Sequence, residues 1–274
     1  MTMKKAYLGA LSIAAAAMIA ATFASTAYAD HNDPKEGKMV VDDRRSGYTY
    51  AIKETQAIQD DDFENPAMIW VEDGGQLWEE VDGKAGKSCQ SCHNDAFETM
   101  KGVAAAYPKY DAKIKKLKNL EQQINTCRTE RMQAKAWKYE SNELLQMTMF
   151  VRHQSRGMPV NVSIDDEAAQ FFAKGKEFYY QRRGALDMAC KHCHEDNPGK
   201  YARANLLTQG QINGFPTYRL KWQKPGSVHR RFRGCNKNIR AQPLKYGSDE
   251  YTNLELYVAW RGRGLPVETP AVRN

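Results

Sequence analysis

The sequence predicts a mainly α chain in which two tandem domains, related by an internal repeat, follow an N-terminal extension. Three observations carry this. The pattern C-x-x-C-H occurs twice, at Cys89–His93 and Cys190–His194. The segments that lead into the two copies match at a constant spacing. Each copy is followed, at a distance, by a helical segment that ends in Gly and Pro, as helix stops usually do.

C-x-x-C-H is the attachment signature of a c-type haem: two thiols bond to the haem vinyl groups, and the histidine reaches the iron from the same side. One tight turn must bring both sulfurs and the imidazole to a single rigid macrocycle, which explains the fixed spacing. A disulfide or a zinc knuckle would use similar cysteines, but two copies, each with an adjacent histidine, favour two covalent haem c groups. The attachment residues are then Cys89, Cys92, Cys190 and Cys193, and the proximal iron ligands are His93 and His194.

The chain opens with Met1-Thr2-Met3-Lys4-Lys5, continues apolar from Ala6 to Ala24, and reaches Ala27-Tyr28-Ala29. A basic start, an apolar middle and an A-x-A exit read as a signal peptide over 1–29, cleaved after Ala29. That places the mature chain in the periplasm, unanchored in the membrane. An extension over 30–73 follows; it is acid-rich, with scattered aromatics and a short helix around Ile52–Gln59, and is expected to drape over a core.

The first cytochrome c-like domain is placed at 74–164 and the second at 165–274. Gly74-Gly75-Gln76-Leu77-Trp78, then Gly83, lead to Cys89; Gly175-Lys176-Glu177-Phe178-Tyr179, then Gly184, lead to Cys190, 101 residues later throughout. Phe150-Val151 and Arg156-Gly157-Met158-Pro159-Val160 match Tyr257-Val258 and Arg263-Gly264-Leu265-Pro266-Val267 at a spacing of 107. Each half reads as helix, haem turn, irregular wrap and closing helix, the closing helices being Asn142–Arg152 and Asp249–Arg261. Ser163 is expected to cap the helix that runs through Phe171 and Phe172.

Without the leader, 38 basic residues face 33 acidic ones, a net charge of +5 that haem propionates would largely offset. No nucleic-acid function follows from this balance. The sign is uneven, acidic over 30–73 and basic from Lys221 to Arg240.

Each iron needs a sixth ligand or an open site. The first half offers Met100, Met132, Met147, Met149 and Met158; the second half has no methionine after Met188, leaving His229 and Cys235. Of six cysteines, four serve attachment. Cys127 and Cys235 remain, at matching places in the two halves and followed by the related Arg131-Met132-Gln133 and Arg240-Ala241-Gln242. A Cys127–Cys235 disulfide would suit an exported protein. Matching positions should instead sit each in its own haem pocket, too far apart to bridge. The sharper expectation is thiolate ligation of each iron, which lowers reduction potentials. Lys221, Lys224, His229, Arg230, Arg231, Arg233, Lys237 and Arg240 lie near Cys235, whereas only Arg128 and Arg131 lie near Cys127. Basic surroundings lower a thiol's pKa and attract dianions, so the two cysteines look alike in position and different in job.

These residues, together with Arg45-Ser46-Gly47-Tyr48, Glu54-Thr55-Gln56, Asp62-Phe63-Glu64-Asn65-Pro66, Arg231-Phe232-Arg233-Gly234-Cys235-Asn236 and Arg261-Gly262-Arg263-Gly264, give the chain a resemblance to the SoxA family. These are the dihaem subunits of the SoxAX cytochromes of bacterial sulfur oxidation. The resemblance implies that, with a SoxX-type cytochrome partner, the chain joins thiosulfate oxidatively to a cysteine of a SoxYZ carrier and passes two electrons to an acceptor cytochrome c. It further implies that Cys235 is both iron ligand and covalent site, carrying a cysteine persulfide, that Arg231 faces the substrate, and that Cys127 ligates the first haem. From the residues alone, a plain electron-transfer dihaem cytochrome and an exported, haem-free binding module remain as alternatives.

Overall fold

The computed structural model describes residues 38–274; the leader and its cleavage site lie outside the described residues. The extension starts as a hairpin, β1 (Val40–Val41) and β2 (Arg44–Arg45), followed by a 3₁₀ turn over Gly47–Tyr50 that Ser46 caps, and by helix α1 (Lys53–Asp60). The inward face of α1 is polar, made of Thr55, Gln56 and Gln59. It therefore binds by hydrogen bonds rather than by apolar packing. Gln59 donates to Glu268 (3.1 Å) and accepts from the Val272 amide (3.0 Å), Thr55 bonds Asn274 (3.0 Å), and Asn65 donates to the Pro270 carbonyl (3.0 Å). The acid-rich extension is thus a strap across the far end of the chain.

The first half contains α2 (Met68–Glu79), the haem-motif turn α3 (Gln90–His93), α4 (Ala96–Thr99), a hairpin of β3 (Lys109–Asp111) and β4 (Lys116–Lys118), α5 (Leu120–Glu130) and α6 (Asn142–His153). The second half repeats this order with α7 (Ala169–Tyr180), α8 (Cys190–His194), a short hairpin of β5 (Tyr201–Ala202) and β6 (Asn205–Leu206), strands β7 (Thr217–Arg219) and β8 (Lys224–Gly226), then α9 (Val228–Asn238) and α10 (Asp249–Arg261). The last strand, β9 (Ala271–Arg273), lies parallel to β7, whose other edge pairs antiparallel with β8. The closing helices fall where the sequence places them.

The repeat is visible in atomic detail. Helix α2 crosses α6 at Gly74, where a Cβ would stand 2.3 Å from the Gln146 carbonyl oxygen; α7 crosses α10 at Gly175, where it would stand 2.0 Å from that of Asn253. Glycine lets these backbones touch, which is why the residue recurs at both crossings. The cores follow: Trp78, Leu120, Met147, Met149 and Phe150 in the first half, Tyr179, Tyr251, Leu254 and Tyr257 in the second. A third cluster, including Leu117, Val160, Val162, Leu256 and Val267, joins them.

Helix α2 starts at Met68, so the boundary drawn before Gly74 falls within a helix. Two local expectations are corrected. Ser163 does not cap α7: a 3₁₀ turn over Asp166–Ala168 intervenes, and the Ser163 hydroxyl accepts from the Asp165 amide (3.4 Å) instead. A side-chain cap must stand immediately before the first free amides. After the two cysteines, it is Gln133 and Arg240 that share the left-handed conformation (φ 54° and 57°), and Gly83 and Gly184 pack on the Met132 and Ile239 carbonyls. The matched pair is therefore Gln133/Arg240, two residues away from the Arg131/Arg240 pairing read from the sequence.

Where the halves meet, a buried polar cluster replaces apolar packing. Asn119 donates to Glu255 (3.0 Å), Glu255 pairs with His229 (3.0 Å), and Tyr139 donates to Asn119 (3.1 Å) and stacks on His229 (centroids 5.7 Å apart). Glu121, also buried, is driven up to about 7 by burial and by the neighbouring Glu255 carboxylate, against the pull of His229 and Arg152.

Candidate functional site

Helices α5 and α9 place the two remaining cysteines. Each has 11 residues, each follows a polar cap (Asn119 and Ser227), and each carries its cysteine as the eighth residue. Cys127 and Cys235 are thus structurally equivalent. All six cysteines are unbridged, so the disulfide reading has no support in the geometry. Among the described residues, no group of three or more His, Cys, Asp or Glu side chains is assembled for a bare metal ion.

In the second half, His194 is held by the Thr208 carbonyl, 2.7 Å from its Nδ1. A carbonyl can only accept, so Nδ1 carries a proton and Nε2 is the nitrogen left to face the site. Gly210 lies flat against the ring, where a Cβ would meet the imidazole at 2.8 Å. The Cys235 thiol stands within hydrogen-bonding reach of the same imidazole. Imidazole and thiol facing each other, with Cys190 and Cys193 on the imidazole's own turn, are a donor set that fits a haem c iron. The turn is anchored to α10: Arg261 donates to the Tyr179 hydroxyl (2.6 Å) and pairs with Glu195 (3.4 Å).

The first half matches this more openly. His93 is exposed and lies beside Trp78 (5.7 Å between ring centres), whose indole N–H donates to the Asn94 carbonyl (3.1 Å). A cleft beside this turn is lined by Trp78, Ala96, Phe97 and Phe150 together with the polar Gln76, Glu79, Gln90 and Asp95. Met132, Met147 and Met149 are buried in the core, Met100 packs against it and Met158 lies beside Gly102, while Cys127 is close enough to Cys89 of the haem turn to interact with it electrostatically.

The thiols divide by electrostatics. Burial pushes Cys89 up to about 11 and Cys190 up to about 12, and raises Cys193 as well. Burial also raises Cys235, but Arg231, His194 and Arg219 together outweigh it and bring the thiol down to about 7. Arg231 lies one helical turn before Cys235, on the same face. In the first half that position is Gln123, whose amide donates to the Cys127 sulfur (3.4 Å). One repeat position therefore holds a guanidinium beside Cys235 and a neutral amide beside Cys127.

Only part of the basic stretch serves the thiol. Arg230 pairs with Glu140 (3.2 Å) and stacks on Trp222, Arg233 bonds the Leu244 carbonyl, and His229 is buried against Glu255, with its Nδ1 accepting from the Gly247 amide (3.0 Å). His229 is thus engaged at the interface between the halves, which removes it as a rival iron ligand. Beside Cys127, Arg128 turns away to Asp82 (2.5 Å) and lies 3.5 Å over the Trp137 ring. Arg219 is the residue that sequence reading missed. It comes from β7, just before the basic stretch that begins at Lys221, and its Nε is held by the Asn274 carbonyl (2.6 Å). Burial lowers Arg219 to about 10, with Arg231 adding repulsion.

A family model described as SoxA/TsdA, cytochrome c domain, matches residues 73–160 and 174–267. The chain is 45% identical over 266 residues to the L-cysteine S-thiosulfotransferase subunit SoxA of Pseudaminobacter salicylatoxidans, covering 90% of this chain and 93% of that protein. It is 48% identical to the subunit of the same name from Rhodovulum sulfidophilum, covering 85% and 81%. The crystal structure of SoxXA from P. pantotrophus matches with a TM-score of 0.81 at 46% identity, over 84% of this chain and 87% of that one. Among the described residues no helix is long and apolar enough to cross a membrane.

Proposed function

The chain belongs to the SoxA family, and from that premise we propose that it is the catalytic subunit of an L-cysteine S-thiosulfotransferase that works with a SoxX-type cytochrome. The substrates are thiosulfate and a cysteine of a SoxYZ-type carrier. The sulfane sulfur of thiosulfate and the carrier sulfur become joined, and the carrier thiol proton and two electrons leave. Haem c, when bound, supplies the electron-accepting chemistry, and an acceptor cytochrome c takes the electrons onward. The observation that carries this reading is the contrast at one repeat position: Arg231 beside Cys235, Gln123 beside Cys127.

In this proposal Cys89, Cys92, Cys190 and Cys193 would bond two haem groups covalently, His93 and Cys127 would hold the first iron, and His194 and Cys235 the second. Thr208 holds His194 in the tautomer that binds iron. Cys235 would also be the sulfur at which thiosulfate is handled. Arg231 and Arg219 hold the dianion against the negative thiolate, a repulsion that without fixed cations would amount to several kcal/mol in a partly dehydrated pocket. The haem attachment agrees with export to the periplasm after cleavage at Ala29. The domain limits 30–73, 74–164 and 165–274 stand as working boundaries, with the first helix extended back to Met68.

Thiosulfate conjugation to the carrier, assayed with the partner subunit present, tests the proposal. Turnover that Cys235→Ala removes supports it, whereas electron transfer without any conjugation would reduce the protein to an electron carrier.

A further inference from the structure

The hairpins that precede the two cysteine-bearing helices are direct counterparts. Cys127 and Cys235 stand 108 residues apart, and the same spacing relates β3–β4 to β7–β8 without a gap. The registers match pair for pair: Lys109, Tyr110 and Asp111 face Lys118, Leu117 and Lys116, while Thr217, Tyr218 and Arg219 face Gly226, Pro225 and Lys224. Lys115 and Gln223 share the left-handed turn conformation, at φ 53° in both. Asn119 and Ser227 then cap α5 and α9.

One corner of this common frame differs. In the first half Asp111 pairs with Lys118 (2.7 Å), and Ile114 at the turn is exposed. In the second half the same positions hold Arg219, Gly226 and Trp222. Gly226 leaves the room that the indole takes: a Cβ there would stand 2.7 Å from the Trp222 ring and 2.8 Å from the Arg230 side chain. Arg230, which replaces Gln122 and is tied to Glu140, lies 4.2 Å from the centre of that ring, and the Arg219 guanidinium lies 5.1 Å from it. Among the described residues no Asp or Glu side chain pairs with Arg219, whose Nε donates to the Asn274 carbonyl (2.6 Å).

Resting on the thiosulfate reading of Cys235 given above, we propose that Trp222 is a positioning residue of that site: it holds the Arg219 guanidinium towards Cys235, so that the dianion is met by cations from two elements, β7 and α9. Arg219 and Arg231 repel each other, and an unrestrained Arg219 would swing out to water. A carboxylate could hold it, but would cancel its charge, as Asp111 does for Lys118 at the matching corner. The face of an indole attracts a cation without neutralising it. The field of Arg219 therefore remains available to the Cys235 sulfur and to an incoming anion.

The test is steady-state thiosulfate conjugation by the haem-loaded complex with its small partner subunit, the carrier being saturating. Trp222→Ile gives the second hairpin the residue that the first carries at the same position. It should lower kcat/KM for thiosulfate roughly three- to tenfold, mainly through KM, as expected for the loss of one cation–π contact. Trp222→Phe keeps an aromatic face and should recover most of that loss, whereas Trp222→Met, of different shape and equally without a ring, should not. In an Arg219→Gln background, Trp222→Ile should cost less than about twofold, because the indole acts through the guanidinium. A merely structural role would cost the same factor in both backgrounds, and that result would overturn the proposal. So would an undiminished kcat/KM in Trp222→Ile or Trp222→Met, or a loss in Trp222→Phe as large as theirs. Absence of conjugation by the wild-type complex would instead overturn the functional reading itself, and this inference with it, so the two failures are distinguishable.

Discussion

Gln123 and Arg231 occupy one position of a duplicated helix, so exchanging their chemistry is the sharpest single-residue experiment. Arg231→Gln gives the second site the first site's amide. It should lower kcat/KM for thiosulfate conjugation by roughly ten- to more than a hundredfold, matching the loss of about 1.5–3 kcal/mol for one charge-assisted contact. Arg231→Lys keeps the charge but not the planar fork and should recover only part of that loss. Steady-state kinetics with saturating carrier checks both. At the same scale, His229 lies in the polar cluster between the halves, so His229→Gln should leave a low-spin His/thiolate electron paramagnetic resonance signal in place. A signal of His/His type that disappears in this variant would contradict the assignment of Cys235 as ligand. Arg231 was legible in the sequence through the family resemblance, which picked it out of the cations around Cys235. Arg219 was not, because its approach depends on β7 lying between β8 and β9, a pairing across more than fifty residues of chain that no local pattern announces.

Elements, rather than residues, explain why the two halves look alike. Both helix crossings close on a glycine, and the approach at Gly175 leaves no room for a methyl group. Gly175→Ala must push α7 and α10 apart and should destabilise the protein by about 1–3 kcal/mol or more, read as a shift in urea midpoint. The starts of α5 and α9 set Glu121 and His229 into the buried cluster with Glu255 and Arg152. A carboxyl raised from 4.5 to about 7 on folding resists ionisation in the native state. Its contribution is complete below about pH 4.5 and is lost as pH rises towards 7. Wild-type stability should therefore fall across that window from this group, and Glu121→Gln should flatten the fall, as urea unfolding at a series of pH values would show. The closing helices and haem turns could be read from the sequence because Gly, Pro and C-x-x-C-H mark them. The cluster could not, since Glu121 and Glu255 lie in helices whose local patterns say nothing about each other. The expected cap at Ser163 failed because a 3₁₀ turn, invisible to a capping rule, separates it from α7.

Across the whole molecule, a duplicated fold carries two unlike sites: an enclosed one, where cations converge on a buried thiol, and an open one, where the motif histidine is exposed. The polar strap of α1 ties residues near the start of the described chain to Glu268, Val272 and Asn274, and so steadies β9 and, through β7, the strand that delivers Arg219. The extension was legible as a covering element from its acid-rich, loop-like composition, but its role at the far end of the chain was not. Both haem motifs predict that the intact mass of protein matured with a complete attachment system shows two haem additions; a single addition would remove one half from the account.

The central claim is the division of labour between Cys235 and Cys127, and the most direct measurement is thiosulfate conjugation by Cys235→Ala and Cys127→Ala, each assayed with the partner subunit and carrier and with both haem groups verified by mass. Cys235→Ala should have no turnover, while Cys127→Ala should keep much of the rate with a shifted potential at the first site. Equal loss of activity in the two variants, with both haem groups in place, would contradict the account.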